Sequence, residues 1–482
     1  MKFDNHKTIR TRFAPSPTGY MHIGNLRTAL YEYLIARSGG GKFLLRIEDT
    51  DVERYVEGAT EVIYNTLKIA GIQHDEGPDV GGPYGPYIQS ERLGGYMQYA
   101  NELIDKGGAY ACFCTKERLE SLKEADPHAK YDRFCLSIPK DEAKARIDGG
   151  EAYVIRQFVP EGETTFHDEV FGDITVAHTE LEDQVLMKAD GYPTYNFANV
   201  VDDHLMDITH VVRGSEYLSS AAKYTLLYHS FGWEVPVYIH LPPVMGKDGK
   251  LSKRRGDASF KDLLAQGFIP EAVVNYIALL GWSPGGEQEI FTLHELEQIF
   301  DIKGLSKSPS TFDIVKLTWM NSEYIKNMDF EKFYALAEPY VKEAVKTPNV
   351  DYRALAAICQ PRISFMHEIP ALLDFIDTLA DYDIAMFEHK KMKTTLEGSL
   401  EILEKFLLRL EAMNDWTLDS IKGTFEAFVQ DEGIKNGQIF WPMRTALSGK
   451  ESSPCGAPEL AELLGQSESI RRVKVAVDKL KA

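Results

Sequence analysis

Two stretches of the chain carry residue types suited to holding a polyphosphate. The first runs from Arg12 to Leu30, RFAPSPTGYMHIGNLRTAL, and the second from Gly249 to Gly256, GKLSKRRG. In the first, Pro15 and Pro17 fix φ and withdraw two donors, while Gly19 can take a positive φ. A short strand therefore leads stiffly into a helix predicted to open near Ile23. His22 and Gly24 fall where free backbone N–H groups and the helix dipole face an anion. A histidine there donates to phosphate oxygens, a glycine leaves room for adenine or ribose, and Asn25 caps or donates. The second stretch sets Lys250, Lys253, Arg254 and Arg255 in a glycine-flanked loop. Cations there would neutralise charge developing on a leaving pyrophosphate, an effect worth about 3–4 kcal/mol per donor. Alone, an H-x-G at a helix start is an ordinary polar residue and K-x-S-K a solvated loop. Their conjunction, with βα patterning between them, points to a nucleoside triphosphate.

The elements that must position these motifs read as follows. Leu26, Ala29, Leu30, Tyr33 and Leu34 share one helical face, Gly39 supplies a stop, and Lys42 to Asp49 (KFLLRIED) reads as a buried strand. A second helical pattern carries Val56, Val62, Ile63 and Leu67, and Gly77 to Pro86 is a loop. Strand and helix in alternation predict an α/β fold with a parallel sheet. From Tyr110 to Lys188 short helices alternate with strand-like runs (Ala152 to Val159, Leu181 to Lys188), as in an insertion. Sheet patterning resumes with a strand at Ile208 to Val212, a helix at Ser219 to Ser230 and a strand at Val235 to Leu241. After Asn327 the pattern is mostly helical.

Bulk properties limit the function classes. A chain of 482 residues is long enough for several domains, and its net charge of −20 opposes unspecific binding of polyanions, so any nucleic-acid contact must come from local basic patches. The best apolar run, Ala272 to Trp282, is too short to span a bilayer, and MKFDNHKTIR lacks the apolar core of a signal peptide. Five cysteines suggest no disulfide framework. A cytoplasmic protein without membrane attachment is expected.

HIGN (His22 to Asn25) and KLSKR (Lys250 to Arg254) resemble the HIGH and KMSKS signatures of the class I aminoacyl-tRNA synthetases; the departure at Asn25 is mild. More specific strings resemble the bacterial-type glutamyl-tRNA synthetase family: RFAPSPTG, RIEDTD (Arg46 to Asp51), GPDVGGPYGPYIQSER (Gly77 to Arg92) and GYPTYNFANVVDDH (Gly191 to His204). The resemblance is strong from Thr8 to Met320 and weaker beyond. It implies a Rossmann-type catalytic domain in two halves, residues 1–88 and 193–245, around an inserted acceptor-end-binding domain, 89–192. A stem-contact domain bearing the lysine loop would follow (246–326), then a helical anticodon-binding region (327–482, divisible near 380). The implied activity is attachment of L-glutamate to tRNA(Glu) through glutamyl-adenylate, with ATP and Mg²⁺, by a monomer.

By the same resemblance His22, Lys250 and Lys253 are catalytic, and Gly24, Asn25, Glu216, Ser252 and Arg254 join them around ATP. Arg12, Ala14, Ser16, Glu48, Tyr195, Asn199 and Arg213 match the glutamate-contacting set. The chemistry suits them, since Arg12 and Arg213 can make charge-assisted bonds to carboxylates and Glu48 can hold an ammonium. The alternative for each arginine is an internal ion pair, such as Arg46 with Asp49 or Arg213 with Glu216. Arg213 also argues against a glutaminyl enzyme, which lacks arginine there. Arg362 matches the position that accepts the last anticodon base and suggests an enzyme that discriminates against tRNA(Gln).

Some relatives carry a zinc knuckle, C-x-C…C-x-H, in the insertion. Here Cys112, Cys114 and Cys135 are followed by Ser137, a poor ligand, so three thiols without zinc are favoured, with His128 or His167 as conceivable substitutes. In the helical region Lys390, Lys391, Lys393, Arg471, Arg472 and Lys474 are candidate RNA contacts, and Trp441 could stack on a base. The competing readings are an enzyme that also charges tRNA(Gln), a glutaminyl enzyme, a truncated paralogue that glutamylates a modified base, and a non-catalytic RNA-binding relative.

Overall fold

In the computed structural model, residues 8–19, 21–50, 56–125, 130–246, 249–250, 259–348 and 350–482 are described. Strand β1 (Arg10–Phe13) lies parallel to β2 (Lys42–Leu45), with Arg10 opposite Lys42 and Phe13 opposite Leu45. Helix α1 (Ile23–Ser38) makes the crossover and is buried on nearly all sides, as its run of apolar residues requires. Two glycine positions shape the return into β2. Gly39 ends α1, and a Cβ at Gly41 would lie 2.1 Å from the Ile9 carbonyl oxygen, so only glycine lets the backbones pass this closely.

Two further neighbours extend the sheet beyond β2 through single parallel bridges, Leu44 with Glu76 and Ile47 with Ile88. Within the stretch assigned to the insertion, β3 (Ala109–Cys112), β4 (Val154–Gln157) and β7 (Val185–Met187) form an antiparallel sheet of their own. The hairpin β5 (Glu163–Asp168) and β6 (Gly172–Ala177) does not join it. β5 instead pairs parallel with β9 (Val237–Leu241), which pairs parallel with β8 (His210–Gly214), giving the order β6-β5-β9-β8. This hairpin, unread in the sequence, ties the insertion into the catalytic sheet. β8 in turn meets β1 through Thr209, whose N–H donates to the Arg10 carbonyl at 3.0 Å. The helix Leu218–Phe231 connects β8 to β9 and covers the face bearing Val211, Phe166 and Tyr238.

The chain divides into two compact units, Met1–Ile314 and Val315–Ala482. The helix Ile314–Lys326 therefore opens the second unit, ahead of the boundary placed at 326/327 from the sequence. Asn327 marks only a turn between helices; Asn321, on the earlier helix, already donates to the Ser364 carbonyl. The second unit is helical. Asp329, Asp351 and Thr395 cap three of its helices with their side chains, and Phe406 packs against Phe425 and Phe428. Among the described residues no helix is long and apolar enough to cross a membrane.

Candidate functional site

A cleft of about 460 Å³ opens where β1 and β8 end and α1 begins. Of the residues matched to glutamate binding, Arg12, Ala14, Ser16, Glu48, Tyr195 and Arg213 line it; of those matched to ATP, His22, Gly24, Asn25 and Glu216 do. Strands β1 and β8, which meet through Thr209, deliver Arg12 and Arg213 to the same cleft, although 200 residues separate them in sequence. His22 is the N-cap of α1 with an extended backbone, and among the described residues no side chain caps the helix. A Cβ on Gly24 would meet nothing within 4 Å, so the helix start faces open space. An uncapped N-terminus of this length at a cleft is an anion site by its dipole and its N–H groups.

Asn199 does not line the cleft. It is buried, and its Nδ2 donates to the Tyr195 carbonyl at 2.7 Å, the back-bond that a four-residue helical spacing favours. Lys250 is described only through its backbone in β11 (Gly249–Lys250), which pairs with β10 (Val244–Gly246). Ser252, Lys253, Arg254 and Arg255 lie outside the described residues. The described residues flanking them are anchored at the cleft: Val244 lines it, and Ser259 forms a bridge with His22.

The cleft floor is a network of buried charges. Asp203 accepts from Arg12 Nε at 2.8 Å and Nη2 at 3.1 Å, and from Arg46 Nη1 at 2.8 Å. Glu32 accepts from Arg12 Nη1 at 3.2 Å, and Glu48 from Arg46 Nη2 at 2.9 Å. Arg46 thus pairs with Glu48 and Asp203, while Asp49 accepts from Ser90 instead. Burial alone would raise the Asp203 carboxyl, but Arg12 and Arg46 hold it down at about 2. Burial dominates for Glu32 and Glu48, whose carboxyls rise against the pull of the same arginines. Arg213 is the exception. It is buried, its nearest carboxylate is Asp203 at 3.9 Å, and its Nε and Nη1 have no hydrogen-bond partner among the described residues. The rings of Tyr224 and Tyr217 stand 5.0 and 5.6 Å from its central carbon. Arg213 therefore presents unmet donors to the cleft, where an anion would satisfy them.

Asp203 and Glu32 were not singled out from the sequence. A signal existed for Glu32, a lone acid inside the apolar run ALYEYLIA, and for Asp203, one of two adjacent acids on a buried helix whose neighbour Asp202 pairs with Arg92.

The three insertion cysteines converge, with their sulfurs within 4.8 Å of one another. Tyr131 joins them: its hydroxyl lies 3.3 Å from the Cys112 Sγ and 3.5 Å from that of Cys114. Ser137 turns away and donates to the Phe134 carbonyl, and His167 pairs with Asp173 on the exposed hairpin; His128 lies outside the described residues. In the second unit Arg362 is exposed, with Nη1 donating to the Ile358 carbonyl. Lys390, Lys391 and Lys393 are exposed, and Trp441 is half-buried with Arg444 over its ring at 4.2 Å. Arg472 cannot be an RNA contact: it is fully buried, and every one of its nitrogens is bonded within the unit.

Residues 8–319 match the family of class I tRNA synthetases (E and Q), catalytic domain, and residues 332–477 match an anticodon binding domain. A glutamate–tRNA ligase of Clostridium novyi is 59% identical over 483 residues, covering 98% of this chain and 99% of that one. One from Clostridium kluyveri is 57% identical, covering 98% of each chain. Among solved structures, a glutamate tRNA ligase from Elizabethkingia meningosepticum in complex with its amino acid superposes with a TM-score of 0.84 at 33% identity, over 98% of this chain and 100% of that one. The glutamate-tRNA synthetase of Elizabethkingia anophelis gives 0.83 at the same identity and coverage.

Proposed function

The chain belongs to the class I tRNA synthetases (E and Q); from that premise we propose that it attaches L-glutamate to tRNA(Glu) in two steps, with ATP consumed. In the first, an α-carboxylate oxygen of glutamate attacks the α-phosphorus of ATP, the bond to the β-phosphate oxygen breaks, and pyrophosphate leaves. In the second, a hydroxyl of the terminal ribose attacks the activated carbonyl, and AMP leaves. No side-chain nucleophile is needed. The chain's work is to bind, orient and stabilise charge.

Arg213 carries the substrate assignment. A buried guanidinium with two unpartnered nitrogens in a cleft calls for an anion, and the side-chain carboxylate of glutamate supplies one. Glutamine would offer a neutral amide and leave those donors poorly matched, which can discriminate by about 10⁴-fold or more. Arg12, whose three nitrogens already meet Asp203, Glu32 and the Val212 carbonyl, serves more to hold the floor than to seize the substrate. The open start of α1, with His22 and Gly24, suits the triphosphate. Mg²⁺ would travel with those phosphates; of the carboxylates lining the cleft, Glu216 is exposed and can approach such an ion, whereas Glu32 and Glu48 are buried among arginines. None of the five cysteines is in a disulfide, which supports a reducing, cytoplasmic setting.

The helical unit reads the anticodon, and Arg362, exposed there, is the residue proposed to select its last base. Replacing it with glutamine is expected to relax the choice between tRNA(Glu) and tRNA(Gln); unchanged selectivity would remove it from that role. Against the sequence expectation of three thiols without zinc, we propose that Tyr131 supplies a fourth donor beside the three thiols and that this set fits Zn²⁺ as a structural ion. The deciding experiment for the activity is pyrophosphate exchange with ATP, tRNA and either glutamate or glutamine, followed by charging of separated tRNA(Glu) and tRNA(Gln). Exchange with glutamate alone, and charging of tRNA(Glu) alone, is the expected result. Tight tRNA binding with no exchange would mean a non-catalytic relative.

A further inference from the structure

A buried ionisable pair beside the cleft has no role in the activity described so far. His240 on β9 stands in register with Arg213 on β8, so the two side chains leave the same face of the sheet. Both are buried. Asp168, on the hairpin strand β5, meets His240 from its other flank. Its Oδ2 accepts from the His240 backbone N–H at 3.0 Å and lies 2.7 Å from Nδ1, while its Oδ1 accepts from the backbone N–H groups of Val170 and Phe171. With a carboxylate against it, Nδ1 carries the proton, and Nε2 is left as an acceptor.

That Nε2 is buried and has no partner among the described residues, and neither do Nε and Nη1 of Arg213. Burial moves the imidazole below its ordinary range, the Asp168 bond opposes this, and the Arg213 charge adds to the lowering, so the ring is neutral at neutral pH. An acceptor lacking a donor and donors lacking an acceptor thus stand on adjacent strands of one face. Buried polar atoms are rarely left this way without a functional reason.

We propose that Asp168 and His240 form a positioning pair for Arg213: the carboxylate fixes the imidazole tautomer, and the Nε2 lone pair, unbonded in this structure, accepts one Arg213 N–H as the other donors receive the side-chain carboxylate of the amino acid. This rests on the glutamate reading above. An N–H at Nε2, or a leucine in its place, removes the orienting group while leaving Arg213 present. The pair then acts on one substrate and not on the other, because ATP meets the start of α1.

The test is pyrophosphate exchange in the presence of tRNA, with KM for glutamate and KM for ATP measured separately. His240→Leu, and Asp168→Asn, which can present an amide N–H to Nδ1 and so reverse the tautomer, are expected to raise KM for glutamate by about tenfold, the factor that about 1.4 kcal/mol makes in a binding constant. KM for ATP stays within about twofold, less than 0.5 kcal/mol on the same scale. His240→Gln, which offers an amide oxygen near the Nε2 position, recovers most of the loss. Three results overturn the proposal: an unchanged glutamate KM in either folded variant, a parallel rise in both KM values, or a glutamine variant no better than leucine. If His240→Leu does not fold, the isosteric Asp168→Asn decides alone. Failure of the glutamate reading itself shows differently, as a wild-type protein that does not exchange with glutamate at all.

Discussion

Two buried arginines, one in each compact unit, show how the same side chain can be put to opposite uses. Arg472, in the helical unit, donates Nε to Glu468 at 2.7 Å, Nη1 to the Leu447 carbonyl at 2.7 Å and Nη2 to the Ile376 carbonyl at 2.9 Å. It is a strut, tying the last helix to two other segments of its unit. Arg213, in the catalytic unit, has among the described residues no partner for Nε and Nη1 and no carboxylate nearer than 3.9 Å. Burying a guanidinium costs several kcal/mol unless its donors are met. A fold that leaves one short carries that cost for something that binds there. Sequence shows an arginine in both places; only the hydrogen-bond inventory separates strut from receptor.

Replacement of each arginine should therefore give opposite phenotypes. Arg213→Gln is expected to lower kcat/KM for glutamate by about 10⁴-fold while thermal stability is kept or slightly improved, since an incompletely paired buried cation is removed. Arg472→Ala should do the reverse. It strands two carbonyls and a carboxylate and costs about 3–5 kcal/mol in chemical denaturation, with the glutamate KM of the folded enzyme unchanged. A stability loss for the first or a glutamate-KM loss for the second would erase the distinction drawn between them.

Histidine adds a third case, because unlike arginine it can shed its charge on burial. His210, at the start of β8, is pushed down to about 4 by burial. Its folded value lies below the ordinary ~6.5, so between those limits the unfolded chain binds the extra proton. The stability is fully present above pH 6.5 and is lost as pH falls toward 4, by at most about 3 kcal/mol. Below pH 4 the loss passes to Asp203, whose carboxyl stays ionised in the fold down to about 2. His210→Gln should flatten the upper segment of the stability–pH curve and leave the lower one; an unaltered upper segment would assign it to another group.

How much of this was legible beforehand follows the range of the interactions involved. The helix start at Ile23, the strand after Gly39 and the strands flanking the helix Leu218–Phe231 are local patterns, and the sequence carries them. The convergence of Arg12, His22, Glu48, Tyr195 and Arg213 on one cleft could be inferred only through motif resemblance. The pairing of Arg12 with Asp203 spans 191 residues, and that of His240 with Asp168 spans 72. Both are made by sheet order, which no local pattern encodes. The β5–β6 hairpin was missed for the same reason: its strands alternate like any exposed hairpin, and only its parallel pairing with β9 moves it out of the insertion's own sheet. Asn199 went the other way. Resemblance placed it with Tyr195 toward the substrate, yet their four-residue spacing lets its amide bond the Tyr195 carbonyl.

The cysteine knuckle is the chemical mirror of the cleft. In the cleft, donors on Arg213 lack an acceptor; in the knuckle, lone pairs on Cys112, Cys114, Cys135 and Tyr131 are gathered so closely that a cation would satisfy them. Positive charge already stands nearby, with Arg156 over the Tyr131 ring at 4.1 Å and Arg118 Nη1 3.5 Å from the Cys114 Sγ. Even so, burial and its neighbouring thiols push Cys114 up to about 11, so without a metal this sulfur keeps its proton. Binding Zn²⁺ would release that proton, and affinity should rise with pH. Metal analysis of the purified protein is expected to find about one zinc per chain, the stoichiometry of a single four-donor structural site. Cys135→Ser should lose it, and Tyr131→Phe should weaken it without abolishing it. Because the knuckle lies on the insertion's own sheet and not in the cleft, metal loss should raise KM for tRNA by about tenfold, roughly 1.4 kcal/mol, and leave KM for glutamate alone. Protein that is fully active, free of zinc and titrates three free thiols at the knuckle would reduce the cluster to packing.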